Sequence, residues 1–88
     1  MSATVTMYST PWCGYCRRLK SQMEREGVAY TEVDIEQDAQ AAEYVMSVNG
    51  GNQTVPTVVL AGPGGDIQWV ATNPSLAQVK AAVSEAAA

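Results

Sequence analysis

The chain has 88 residues, which is enough for one domain with a single modest hydrophobic core. Nine Asp and Glu against five Lys and Arg give a formal net charge of −4, so nucleic acids and anionic membrane surfaces are not expected partners. The chain contains no His, which excludes His-based acid–base catalysis and His-ligated metal sites.

No segment of the sequence predicts membrane insertion or export. No apolar run approaches the roughly 18 residues of a membrane-spanning helix. The first residues also lack the basic start and the long apolar stretch of a signal peptide. We therefore expect a soluble cytoplasmic protein, a single domain over residues 1–88, and a monomer.

Four strands and three helices are predicted along the chain. β-branched and aromatic residues mark the strands, and apolar residues spaced three and four apart mark the helices. The strands are predicted at residues 4–9, 28–34, 57–60 and 67–70. The helices are predicted from the Cys13–Cys16 motif to residue 26, at residues 39–48, and from residue 74 through residue 83 into the Ala-rich tail. Asp38 is the predicted N-cap of the second helix, and Asn73, followed by Pro74, is that of the third. Gly27 and residues 49–52 are predicted to end the first two helices.

The predicted order β-α-β-α-β-β-α defines an α/β fold. The βαβ-type connections make the first two strands parallel, and the turn at residues 62–66 makes the last two strands an antiparallel hairpin. A small mixed sheet of four strands needs helices on both faces to cover its apolar surface.

Cys13 and Cys16 lie between the first strand and the first helix, in the motif Pro11-Trp12-Cys13-Gly14-Tyr15-Cys16. Unpaired N–H groups at a helix N-terminus favour a thiolate, so we expect the pKa of the Cys13 thiol to lie below that of a free cysteine. Cys13 is predicted to be the exposed, reactive sulfur, and Cys16, one turn later on the apolar face, the shielded one. The spacing lets the two sulfurs form a disulfide. Both are predicted to be catalytic, because Cys13 can attack a disulfide and Cys16 can then release the product thiol.

Three alternative roles for the two cysteines compete with this redox chemistry. A zinc site needs four ligands, and the sequence offers two Cys and no His. A structural disulfide across so small a loop removes little chain entropy. If the two thiols only filled space, their position between a strand and a helix would have no explanation. The redox function is therefore favoured, and no metal ion is predicted.

A second feature is Pro56, which stands at the head of the third predicted strand in the segment Gln53-Thr54-Val55-Pro56-Thr57. Proline at a strand start is a routine edge position and needs no function. Beside a redox motif, however, a proline without an N–H leaves neighbouring backbone groups unpaired, and these can bind an extended thiol peptide next to Cys13. A cis Val55–Pro56 bond would direct them that way.

These motifs resemble the thioredoxin superfamily in its short, glutaredoxin-like form. Cys13-Gly14-Tyr15-Cys16 is similar to the Cys-Pro-Tyr-Cys of glutaredoxins, and Thr54-Val55-Pro56 is similar to the Thr-Val-Pro loop before their cis-proline strand. The resemblance implies a thioredoxin/glutaredoxin-like fold. Two places depart from the glutaredoxin pattern. Glutaredoxins usually have a Lys where this chain has Thr10, and a Gly-Gly-x-Asp-Asp stretch where it has residues 71–75.

Four segments together resemble mycoredoxins, the glutaredoxin-like proteins of bacteria that use mycothiol: residues 12–16, 47–52, 54–58 and 72–74. This resemblance implies an oxidoreductase that holds no bound cofactor and uses mycothiol as a thiol co-substrate. Cys13 would attack the mycothiol sulfur of a mycothiolated protein. A second mycothiol and an NADPH-dependent mycothiol disulfide reductase would then restore the enzyme. Members of this group also act as reductants in arsenate detoxification, which is a further expectation.

Two rival functions stay open. A redoxin or glutaredoxin reduced by thioredoxin reductase or glutathione would act on protein disulfides through Cys13 and Cys16. A non-enzymatic adaptor would keep the fold only to bind a partner, although the intact cysteine pair argues against it.

Seven residues are predicted to bind the thiol substrate: Trp12, Tyr15, Thr54, Val55, Pro56, Thr72 and Asn73. Each has a plainer alternative. The tryptophan would anchor packing and the tyrosine would be an exposed helix residue. The Thr-Val-Pro segment would only begin a strand, and the Thr-Asn pair would only cap a helix.

Overall fold

Within residues 3–87, four strands and three helices form in the predicted order β-α-β-α-β-β-α. The computed structural model describes residues 3–87. The strands are β1 (Thr4–Ser9), β2 (Thr31–Asp34), β3 (Thr57–Ala61) and β4 (Ile67–Thr72), and the helices are α1 (Gly14–Arg25), α2 (Ala39–Val48) and α3 (Leu76–Ala87). Within residues 3–87, none of the helices is long and apolar enough to cross a membrane.

The strands form one mixed sheet in the order β2-β1-β3-β4. β1 lies parallel to β2 and antiparallel to β3, and β3 lies antiparallel to β4. The predicted four-stranded mixed sheet is therefore confirmed, with β1 and β3 at its centre. Val58, Val59 and Leu60 of β3 are all buried, as expected for a strand that is covered on both faces.

Helices cover both faces of the sheet, as predicted. On one face, Met7 of β1 packs with Met23 of α1 and Val79 of α3 in the larger cluster of buried residues. Side chains alternate along a strand, so the next residue of β1, Tyr8, points to the other face. There it packs against a smaller buried cluster that includes Val45 of α2.

β2 is shorter than predicted. It begins at Thr31 rather than at Val28, because parallel pairing with β1 starts only where Thr6 faces Thr31. Val28 and Tyr30 instead pack against the larger buried cluster. Their side chains are therefore packed against the core although their backbone is not paired in the sheet. A pattern of β-forming residues does not distinguish these two situations.

The N-cap of α3 is Ser75, and the prediction of Asn73 is wrong. The Ser75 hydroxyl accepts a hydrogen bond from the Gln78 N–H at 3.1 Å, and the Gln78 side-chain oxygen accepts one from the Ser75 N–H at 2.9 Å. This reciprocal pair is a capping box. Asn73 instead has a backbone φ of 49° and donates its N–H to the Pro56 carbonyl. Asn73 therefore belongs to the loop between β4 and α3, and its N–H binds the loop that precedes β3.

Replacing Tyr30 with Phe is expected to destabilise the fold by about 0.5–1.5 kcal/mol near neutral pH, and by less at alkaline pH. Burial and the hydrogen bond that the Tyr30 hydroxyl donates to Glu24 at 2.6 Å raise the pKa of Tyr30. The protonated phenol therefore stabilises the folded state fully below the ordinary tyrosine pKa of about 10. This contribution is lost as the pH rises through the raised value.

Urea denaturation of both proteins at about pH 8 and about pH 11 measures this difference. Tyr8, whose pKa is raised by burial and by Tyr44 and Asp38, is present in both proteins and cancels. A stability difference that stays constant between the two pH values would contradict the prediction.

Candidate active site

The loops at one edge of the sheet converge around the cysteine motif. Ser9 at the end of β1 pairs with Asp34 at the end of β2, and Tyr8 faces Thr57 at the start of β3. Thr57 in turn faces Thr72, the last residue of β4, a strand that extends two residues beyond its prediction. The segments that follow β1, β2 and β4 and the one that precedes β3 therefore lie side by side. This edge brings together the predicted site segments at residues 12–16, 54–56 and 72–73.

Cys13 and Cys16 form a disulfide at the start of α1, with their Cα atoms 5.2 Å apart. The prediction that their spacing allows this bond is confirmed. Cys13 is the N-cap of α1, and its Sγ accepts a hydrogen bond from the Cys16 N–H at 3.0 Å. The Cys13 sulfur therefore lies where the unpaired N–H groups of the first helical turn favour negative charge.

The Cys13 side chain is more buried than predicted. Cys13 is 5% exposed and Cys16 is 1% exposed, and both belong to the larger buried cluster. The prediction of an exposed Cys13 is wrong for this oxidised state. The N-cap position turns its sulfur over the first turn of α1, where it bonds to a residue on the buried face of the helix. The predicted order holds, since Cys16 is the more buried of the two.

Two exposed aromatic residues flank the first cysteine along the chain. Trp12 is 68% exposed and Tyr15 is 66% exposed. The Trp12 indole N–H donates to the Glu36 carboxylate at 2.7 Å, which ties the cysteine loop to the segment after β2. Trp12 is therefore not a packing anchor of the core. Sequence reasoning does not identify Glu36, whose only signal is its position just after β2 at the same sheet edge.

The loop before β3 contains a cis Val55–Pro56 peptide bond, as predicted. The carbonyls on either side of Val55 are occupied. The Thr57 hydroxyl donates to the Thr54 carbonyl at 2.8 Å, and the Asn73 N–H donates to the Pro56 carbonyl at 2.7 Å. The Val55 amide and carbonyl take part in no hydrogen bond among residues 3–87. The prediction of unpaired backbone groups beside Pro56 is therefore confirmed at Val55.

Asn49 holds this loop in place, although sequence reasoning assigns residues 49–52 mainly to the end of α2. Its side-chain NH2 donates to the Val45 carbonyl at 2.8 Å and to the Thr57 hydroxyl at 3.1 Å. Its side-chain oxygen accepts a hydrogen bond from the Thr72 hydroxyl at 2.5 Å. One amide therefore joins α2, the start of β3 and the end of β4. The Thr72 hydroxyl, a predicted ligand donor, is donated to Asn49.

Replacing Asn49 with Ala is expected to destabilise the protein by about 1–3 kcal/mol, as measured by urea denaturation. The Val45 carbonyl and the hydroxyls of Thr57 and Thr72 lose their shared partner in this variant. Asn52→Ala is the matched control, because the exposed Asn52 side chain makes a single hydrogen bond in the same loop, at 3.2 Å. Its expected cost is less than about 0.5 kcal/mol. Equal losses in the two variants would show that the Asn49 amide is not the link.

A second polar link fixes the end of β1. The Ser9 hydroxyl donates to the Glu32 carboxylate of β2 at 2.8 Å, and Lys20 of α1 donates to the other oxygen of that carboxylate at 3.2 Å. The next residue, Thr10, is buried, and its hydroxyl has no hydrogen-bond partner within the described part of the chain. The segment that leads into the cysteine motif is therefore anchored to β2 and α1. Thr10, which stands where glutaredoxins usually have a Lys, brings no positive charge to the motif.

The arrangement meets the requirements of thiol–disulfide exchange. One sulfur at a helix N-terminus is favoured as a thiolate, and a second sulfur lies within bonding reach of it. The backbone of Val55 is free on the same sheet edge. The mixed sheet, the helices on both faces and the cysteine pair together define a thiol–disulfide oxidoreductase with a thioredoxin-like fold.

Comparison with known proteins agrees with this assignment. The model of the glutaredoxin family matches residues 5–63, more than half of the chain. A protein of Mycobacterium tuberculosis provisionally named a glutaredoxin is 53% identical over 81 residues, which cover 92% of this chain and 90% of its own. Mycoredoxin 1 of Corynebacterium glutamicum is 42% identical over 81 residues, which cover 92% of this chain and 94% of its own. The chain belongs to the glutaredoxin family.

The relationship extends to solved structures. A glutaredoxin of Archaeoglobus fulgidus superposes with a TM-score of 0.70 at 26% sequence identity, covering 92% of this chain and 86% of its own. The predicted thioredoxin/glutaredoxin-like fold is therefore confirmed, and the resemblance to mycoredoxins is confirmed as a similarity of sequence.

Proposed function

We propose that this protein is a mycothiol-dependent oxidoreductase that removes mycothiol from its mixed disulfides with proteins. The observation that carries the proposal is the similarity to Mycoredoxin 1, which covers 92% of this chain. Thr10 and residues 71–75 lack the Lys and the Gly-Gly-x-Asp-Asp stretch of the glutaredoxin pattern, which argues against glutathione as the natural thiol.

Cys13 would act as the nucleophile. Its thiolate attacks the mycothiol sulfur of the mixed disulfide, a bond forms between these two sulfurs, and the client protein leaves as a thiolate that takes a proton from water. The thiolate of a second mycothiol then attacks the mycothiol sulfur held by Cys13. This step releases oxidised mycothiol and restores the Cys13 thiolate. An NADPH-dependent mycothiol disulfide reductase supplies the two electrons that convert oxidised mycothiol to two thiols. Because none of these steps uses Cys16, that residue is not required for this reaction.

The substrate would lie along the sheet edge between the exposed aromatic residues and the loop before β3. The free amide and carbonyl of Val55 would pair with an extended segment next to Cys13, in the manner of an added strand. Trp12 and Tyr15 expose ring surface on either side of the cysteine in sequence, and would cover the reacting sulfur. The exposed side chain of Asn73 would contribute a polar contact from the loop before α3.

The partners would be mycothiol, mycothiolated proteins and, indirectly, mycothiol disulfide reductase. The protein would work in the cytoplasm as a monomer and hold no bound cofactor. Service as a reductant in arsenate detoxification would draw on the same reduced Cys13.

A second function, reduction of protein disulfides by both cysteines, is supported by the disulfide between Cys13 and Cys16. In this route Cys16 attacks the bond between Cys13 and the substrate, releases the substrate thiol and leaves the disulfide. Thioredoxin reductase or glutathione would then reduce that disulfide. The same pair argues against an adaptor that only binds a partner.

NADPH consumption with a mycothiolated client protein distinguishes these functions. The reaction is run with three recycling systems: mycothiol with its reductase, glutathione with its reductase, and thioredoxin reductase alone. Faster turnover with the mycothiol system than with either of the two remaining systems is expected. Turnover mainly with thioredoxin reductase would contradict the proposal and assign the function that uses both cysteines. The Cys13→Ser protein measures the background of uncatalysed exchange.

A further inference from the structure

A groove runs beside the cysteine motif, between α1 and the segment that begins α3. Its volume is about 380 Å³, within the range of about 300–1,000 Å³ that is usual for small-molecule sites. Tyr15 lines the groove next to the cysteines, and Arg18 and Gln22 continue the same wall along α1. Ser75 and Gln78, the two residues of the capping box of α3, form the opposite wall.

The groove leads away from the cysteine motif. Tyr15, Arg18 and Gln22 are spaced three and four residues apart, so their side chains form one stripe of α1. The helix rises about 10 Å from Tyr15 to Gln22. A ligand joined to Cys13 through sulfur would therefore fill the groove only if it carries an arm of about that length beyond the sulfur. The Thr-Val-Pro loop at residues 54–56 does not line this groove.

Most of the polar side chains of the groove are free to bind a ligand, although Ser75 and the side-chain oxygen of Gln78 take part in the capping box. Those of Arg18, Gln22 and Asn73 make no hydrogen bond within residues 3–87, and Gln78 keeps its side-chain NH2 free. Amide groups both donate and accept hydrogen bonds, and none of the residues among 3–87 that line the groove carries a carboxylate. An ammonium group would find no anionic partner there, and one guanidinium can pair with only one carboxylate. The lining therefore fits an uncharged, hydroxyl-rich group better than a charged peptide arm.

We infer that this groove, the α1–α3 groove lined by Tyr15, Arg18, Gln22, Ser75 and Gln78, binds the hydroxyl-rich arm of the small thiol that the protein exchanges. The inference rests on the proposed function and adds the residues that select the thiol. Arg18 and Gln22 hold the arm while its sulfur is joined to Cys13. They determine specificity and take no part in the exchange of sulfur bonds.

Two mixed disulfides of one client protein test the inference. Mycothiol bears a sugar and cyclitol arm on an N-acetylcysteine head, and N-acetylcysteine alone provides the same head without the arm. The Arg18→Ala/Gln22→Ala variant is expected to lower kcat/KM about 10-fold for the mycothiol disulfide and less than about 2-fold for the N-acetylcysteine disulfide, because hydrogen bonds to the arm are lost. Arg25→Ala/Gln40→Ala is the matched control, since both side chains are exposed outside the groove. It is expected to leave both values unchanged.

The outcomes separate this inference from the proposed function. A wild-type preference for mycothiol that the variant retains would overturn the groove inference alone, and so would equal losses with both substrates. No turnover of the mycothiol disulfide by the wild-type protein would overturn the proposed function, and the groove inference with it.

A binding measurement gives a second test that does not depend on the variants. In 15N-labelled Cys13→Ser protein, the side-chain amide signals of Gln22 and Gln78 are expected to shift on addition of mycothiol and to stay in place with N-acetylcysteine. Signals that do not move with mycothiol would overturn the inference.

Discussion

The Cys13→Ser variant is expected to lose at least about 10³-fold in the turnover of every disulfide substrate. Cys13 is the N-cap of α1, and its sulfur accepts the Cys16 N–H. A serine hydroxyl is not ionised near neutral pH and cannot form the mixed disulfide through which exchange proceeds. The disulfide closes a very small loop, so its removal costs little stability and the variant folds.

NADPH consumption with the mycothiol recycling system measures this loss, and urea denaturation verifies that the variant is folded. Cys16→Ser is the matched control, because it makes the same chemical change one helical turn away and also removes the disulfide. Retained turnover in the Cys13→Ser protein would show that the nucleophile lies elsewhere in the chain.

The Cys13 thiol is expected to have a pKa below the value of about 8.5 of a free cysteine. The causes are its N-cap position and the N–H of Cys16 that points at its sulfur. Thiolate absorbance of the Cys16→Ser variant as a function of pH measures this pKa, with the double Cys13→Ser/Cys16→Ser variant as the blank. A pKa at or above the free-cysteine value would contradict the argument from the helix N-terminus.

The Cys16→Ser variant is expected to separate the two candidate reactions. Removal of mycothiol uses Cys13 alone, so its rate should stay within about 3-fold of the wild-type rate. Reduction of protein disulfides needs Cys16 to release the substrate from Cys13, and should fall at least about 100-fold. The Cys16 side chain is 1% exposed and its sulfur is bonded to that of Cys13, so it acts on a client through Cys13.

Parallel assays with a mycothiolated protein and with a protein that contains an ordinary disulfide measure the two rates. Run without an added small thiol, the second reaction should show a covalent adduct between Cys13 and the client by mass spectrometry, since neither Cys16 nor free mycothiol is there to resolve it. Loss of both activities would mean that the route with two cysteines dominates and that the mycothiol proposal describes the wrong mechanism.

Local sequence patterns suffice for the order of the elements, for both ends of β1 and α2, and for the chemistry of the site. The β-branched run at residues 4–9 forms β1 as predicted, and Asp38 caps α2 by accepting the Ala41 N–H at 3.1 Å. Gly27 follows the end of α1 with a φ of 71°. Capping, side-chain periodicity and the placement of a thiol at a helix start all act within a few residues, so their signals are visible in the sequence.

The remaining features depend on residues that are far apart along the chain. The start of β2 at Thr31 is set by its partner in β1. Asn73 does not cap α3 because it lies in the preceding loop with a φ of 49°, where its N–H donates to the Pro56 carbonyl. Glu36 reaches Trp12 across 24 positions, and Asn49 receives the Thr72 hydroxyl across 23. These contacts exist because the sheet order β2-β1-β3-β4 places the ends of its strands side by side. A hydrogen bond between residues so far apart in the chain produces no local periodicity or spacing, so the sequence around either residue does not predict it.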